Sequence, residues 1–154
     1  MPCTACCDGW VQINVYGDDV YPGCPCPHST GQSCRIYPDR PEDPCQTFIC
    51  GWRMEGSPYP QWMRPDQARV MILPHVRTWR GRPVDVAVPV GKRIPPRALK
   101  WLQQYAREQE RPLIYTEQDL TREGFARDQQ VVGFGPPEFQ EEVSRLVAAG
   151  ARLW

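Results

Sequence analysis

Apolar and polar residues recur with a regular period only in the second part of the chain. Arg69 to Leu73 (Arg-Val-Met-Ile-Leu) and Val84 to Val90 (Val-Asp-Val-Ala-Val-Pro-Val) read as strands. The second alternates as a half-buried strand does, and Arg80-Gly81-Arg82-Pro83 reads as the turn before it. Pro95-Pro96 opens a helix running through Glu110, because proline fits the first helical turn, where its missing N–H would have no partner. Leu99, Leu102, Tyr105 and Ala106 make one apolar stripe along it. Pro112 to Thr116 and Gln130 to Phe134 read as a third and a fourth strand. Pro136-Pro137 starts a last helix whose Phe139, Val143, Leu146 and Val147 share a face and which Gly150 stops. The order β-β-α-β-β-α predicts an α+β fold, with a small sheet covered by two helices.

Residues 1–62 show no such period. Twelve of the eighteen prolines lie before residue 84, and between Tyr21 and Pro65 they recur every few residues, which forbids long helices there. A stretch of this kind does not build a hydrophobic core from its own local elements. All eight cysteines fall inside it, and the last 104 residues have none. The expected organisation is therefore an irregular, cysteine-rich, metal-stapled segment over 1–62 and an α+β segment over 63–154, packed together as one compact unit. In small zinc modules, metal binding supplies folding free energy of order 10 kcal/mol, the usual substitute for a missing core.

The cysteines are Cys3, Cys6, Cys7, Cys24, Cys26, Cys34, Cys45 and Cys50. The chain shows no basic stretch followed by an apolar leader and no run near the roughly 18 apolar residues of a membrane span. A cytoplasmic location is expected, and there thiols stay reduced. Cys3-x-x-Cys6 is the separation at which a tight turn points two thiolates at one ion, and Cys7 adds a third donor. The alternative, a disulfide framework of a secreted domain, fits less well, because adjacent Cys6 and Cys7 would pair only through a strained ring.

The later spacings are as specific. Cys24-Pro25-Cys26-Pro27-His28 is followed by Cys34-Arg35-Ile36-Tyr37-Pro38-Asp39-Arg40-Pro41 and then Cys45-Gln46-Thr47-Phe48-Ile49-Cys50. With the opening Cys-x-x-Cys-Cys, residues 3 to 52 resemble the YkgJ-like cysteine-cluster family, described as zinc- or iron-chelating. Trp62-Met63-Arg64-Pro65-Asp66 resembles the segment that follows in short members. The resemblance implies metal chelation, with Cys3, Cys6, Cys7, Cys26, Cys34, Cys45 and Cys50 as motif members and Cys24 as an addition. Some larger relatives are iron–sulfur lysine methylases. This chain is far shorter and offers only Gly133-Phe134-Gly135 as a glycine-rich turn, so methyl transfer is a poor expectation.

Eight thiols fill two four-ligand sites with none to spare, and one site with spare thiols fits equally. Cys3, Cys6, Cys7 and Cys26 are the first candidates for one such site. Thiolate softness selects zinc, Cu(I) or iron–sulfur over magnesium and calcium. Zinc is favoured slightly by its frequency, and a [4Fe-4S] cluster by the excess of cysteine. His28 is either a ligand or thiolate donor, or a loop histidine facing water. Arg40 either compensates the sulfur charge or caps a turn. Tyr37, Phe48 and Trp52 are expected to pack as a hydrophobic wall. His75 reads as structural.

Formal charge balances at 18 against 18, which argues against a nucleic-acid binder. The basic Arg77-to-Arg82 stretch reads as a solvated hairpin tip. With two histidines, Cys/His nucleophilic catalysis has little to work with. The expectation is a metal-binding protein with a structural or metal-handling role and no assigned catalytic residue. The alternatives are an iron–sulfur redox or modification enzyme, or a metal-stapled adaptor for a protein or RNA partner.

Overall fold

The computed structural model describes residues 3–121 and 124–153 and shows an α+β fold with one two-stranded and one four-stranded sheet. β1 (Ile13–Val15) and β2 (Asp18–Val20) form an antiparallel hairpin within the cysteine-rich part. Strands of three residues leave too few alternating positions to register as a period, so the sequence pattern does not announce them. A single turn, α1 (Pro65–Ala68), leads into β3 (Val70–Trp79) and β4 (Arg82–Pro89). Then come α2 (Pro96–Glu108), β5 (Leu113–Thr121), β6 (Gly124–Phe134) and α3 (Pro137–Ala148). The sheet runs β3-β4-β5-β6; β4 and β5 are parallel and need the α2 crossover between them, and the other pairs are antiparallel.

All four strands of the larger sheet are longer than the sequence pattern indicates. Pro74 reads as a strand end because it cannot donate to the ladder, but β3 absorbs it in a bulge between Leu73 and Arg77, with His75 at φ 55°. Arg80 (φ 49°) and Gly81 (φ 76°) then make a two-residue hairpin turn with both φ positive, so Arg82 and Pro83 belong to β4 and not to the turn. β5 and β6 pair from Leu113 opposite Phe134 out to Thr121 opposite Gly124. Their outer halves are mostly polar in sequence, with Leu120, Phe125 and Ala126 too few to make an alternation.

Alternation along β3 and β4 divides the core between the two faces of the sheet. Val70, Ile72 and Ala87 pack with Ala98, Leu102 and Ala106 of α2 on one face. The i, i+4, i+8 row of α2 is buried, with Leu99 and Tyr105 flanking it; the fully buried Ala98 lets the helix lie close to the sheet. Met71, Leu73, Val84, Val86 and Val88 face the other side with Phe139 and Val143 of α3. Val147, expected on that buried face, is 40% exposed. Asp85 is buried and held by Arg111 through two hydrogen bonds, Nη2 to Oδ1 at 2.5 Å and Nε to Oδ2 at 3.2 Å. Burial pushes the Asp85 carboxyl up and Arg111 opposes that.

The cysteine-rich part sits on the α3 face, where Ala5 and Val11 join the core of Met71 and Leu73. From Trp52 to Trp62 the chain also places Trp52, Tyr59 and Trp62 against the α2-side core, so it wraps the edge of the sheet. Gly51 permits that wrap, since a Cβ there would stand 3.1 Å from the Ile72 side chain and 3.0 Å from the Tyr59 ring. Among the described residues, no helix is long and apolar enough to cross a membrane.

Candidate metal centre

Backbone contacts place the cysteines before their side chains are considered. Cys6 and Cys7 lie on the turn Cys6–Trp10, which Gly9 closes at φ 92°. A Cβ on Gly9 would stand 2.3 Å from the carbonyl oxygen of Tyr21, so only glycine lets the opening motif approach the Tyr21–Cys24 turn. The Cys26 N–H donates to the Cys7 carbonyl at 2.8 Å, joining the first and second cysteine groups. Cys34 is bridged to Ser29, and the Arg35 N–H donates to the His28 carbonyl at 2.9 Å. Cys45 lies in the Glu42–Gln46 turn, and Cys50 accepts through its carbonyl from the Arg53 N–H at 2.9 Å.

The product is one chamber of about 220 Å³ lined by seven of the eight cysteines: Cys3, Cys6, Cys7, Cys26, Cys34, Cys45 and Cys50. Cys24 is outside that lining, with its Sγ 3.5 Å from the Asp19 carbonyl oxygen. All eight thiols are unbridged. Tyr37, Phe48 and Trp52 form part of the wall, Met71 of β3 and Pro65 of α1 contribute from the sheet side, and His28 also lines it. His28 is half-buried and stands edge-on to Tyr16, whose hydroxyl donates to the Asp39 carbonyl at 2.7 Å.

Charge in the chamber follows the sulfurs. The Cys6 and Cys7 Sγ atoms are 4.0 Å apart and share a hydrogen bond in which either can donate, so the pair gives up its first proton more easily than an ordinary thiol and holds its second more tightly. Burial raises Cys3, Cys45 and Cys50. Arg40 opposes the rise at Cys45 and Arg53 opposes it at Cys50. Arg40 holds the turn before it, its Nη1 donating to the Tyr37 carbonyl at 2.6 Å and its guanidinium stacking on the Tyr37 ring at 4.0 Å, and it also lines the chamber. Arg53 has no counterpart in the sequence reading; the turn Gly51–Arg53 after Cys50 brings it to the chamber.

Among the described residues, no three His, Cys, Asp or Glu side chains stand close enough together to hold one ion as placed. The sulfurs line the chamber walls. The donor set is nonetheless of one chemical kind, soft sulfur with nearby guanidinium groups, and it fits a thiophilic metal such as zinc or iron. His75, by contrast, is exposed on the β3 bulge. At the basic hairpin tip Trp79 is buried, with Nε1 donating to Glu142 at 2.9 Å, so that stretch is partly core. No protein-family model, curated protein or solved structure matches the chain.

Proposed function

We propose that residues 3–52 form a cysteine-thiolate metal centre, holding zinc or an iron–sulfur cluster in a structural or metal-handling role. The observation that carries this reading is the convergence of seven cysteines, drawn from four separated stretches, on a single chamber. The same seven are those that the resemblance to the YkgJ-like family singles out. Physical chemistry supports it further. Arg40 and Arg53 supply positive charge that a buried thiolate centre requires. Eight unbridged thiols suit a reducing compartment, the cytoplasm.

Elemental analysis and the visible spectrum of the full chain, purified without oxygen, test the proposal. Bound zinc without colour supports the zinc form, and iron with broad visible absorption supports the cluster form. A preparation free of metal, unchanged in fold by chelators, contradicts both.

A further inference from the structure

A second cavity, of about 470 Å³, shares no residue with the cysteine chamber. It lies at one end of the four-stranded sheet, between the last turn of α2 and the start of α3. Three arginines line it: Arg82 at the start of β4, Arg107 in the last turn of α2 and Arg111 in the loop before β5. Among the described residues, Glu110 is the one carboxylate in that lining, and Trp79 and Phe134 give it aromatic walls.

These guanidinium groups are held in place with hydrogen-bonding capacity to spare. Arg111 spends Nε and Nη2 on the buried Asp85, at 3.2 and 2.5 Å, and its Nη1 meets no acceptor among the described residues. Arg107 is carried over the Phe134 ring, 4.9 Å from its centroid, and pairs with no carboxylate among the described residues. Arg82 reaches Glu110 with Nη2 at 3.3 Å, but the two side chains are 50% and 73% exposed, a weak pair that a bound anion can displace. The last N–H groups after α2, those of Gln109, Glu110 and Arg111, bond back to its own carbonyls, so the arginines are not needed to cap it. The two helix ends offset each other, since α2 finishes at the rim and α3 starts there. Counting Asp85 behind Arg111, the cluster keeps one net positive charge in a chain whose formal charge is zero.

We propose that this cavity binds a small organic oxyanion, a carboxylate or phosphate monoester on an aromatic or apolar body. The planar forks of Arg107 and Arg111 match the oxygens of such a head group. Trp79 and Phe134 take the body, and the volume falls in the range of small-molecule sites, about 300–1,000 Å³. The site stands independently of the metal centre.

The test is a titration of the full chain with phenyl phosphate, benzoate and inorganic phosphate, followed by ¹⁵N-resolved NMR. The better organic probe should shift the Trp79 indole N–H and the Gly135 and Gln140 amides saturably, and inorganic phosphate, with no body to bury, should bind at least about tenfold more weakly. Tighter phenyl phosphate supports the phosphate form of the site, and tighter benzoate the carboxylate form. Arg107 is exposed, so Arg107→Gln should keep the fold while weakening the better probe at least about tenfold. Arg97→Gln, at the other end of the same helix, should bind as the unmodified chain does. The proposal is overturned by no saturable shift at about 10 mM of either organic probe, by inorganic phosphate binding as tightly as the better one, or by equal losses in the two variants.

Discussion

The four-stranded sheet buries Val84, Val86 and Ala87 completely and has a helix on each face, whereas the β1–β2 hairpin has only Val15, Val20 and Cys26 as its own buried cluster. The other apolar groups of the cysteine part, Ala5 and Val11 with the part-buried Trp10 and Phe48, pack on the main core of the sheet instead. The difference teaches that the sheet folds on apolar burial, whereas the cysteine part has little core of its own, and that lack is what the proposed metal centre would make good.

The largest expected effect follows from removing the metal. Chelation should withdraw stabilisation of order 10 kcal/mol from the cysteine part alone. Amide hydrogen exchange should then rise over residues 3–52, while the β3 and β4 ladder stays protected. Uniform loss of protection in both would break the comparison. Arg111→Ala should act on the opposite side. It leaves the Asp85 carboxylate buried without its partner, costing about 3–5 kcal/mol in a denaturant titration with metal content unchanged. A substitution that also released the metal would show that the two parts are one cooperative unit.

Gly9→Ala sharpens the comparison at smaller scale. Its positive φ costs a non-glycine residue about 1–2 kcal/mol, and the contact with the Tyr21 carbonyl forces a backbone shift in addition. The expected result is faster metal loss to a chelator, with the thermal unfolding of the sheet little changed. Cys24→Ser is expected to have the smallest effect, within about 0.5 kcal/mol and with metal content intact, because its sulfur lies outside the chamber lining. Loss of a bound equivalent in that variant would place Cys24 among the ligands.

Most of the sheet was legible in the sequence because alternation and helical stripes come from burial on one face. Val84 to Val90 and the Leu102/Ala106 row of α2 are examples. The β3 bulge was not, since Pro74 looks like a terminus and only the pairing with β4 shows the ladder continuing. The set of chamber cysteines was legible from spacing and resemblance. Their convergence from separate stretches was not, because it depends on backbone contacts such as the Cys26 N–H to the Cys7 carbonyl, which no spacing shows. Arg53 was missed for a related reason: a turn following Cys50 brings it back to the chamber, and nothing in its spacing differs from that of a surface arginine.

The most direct test of the central claim is a thiol count on the native full chain, made before and after chelation alongside elemental analysis. The account predicts bound metal, one rapidly reacting thiol, Cys24, before chelation, and all eight reacting after it. Eight thiols reacting at the outset, in a folded chain without metal, would contradict it.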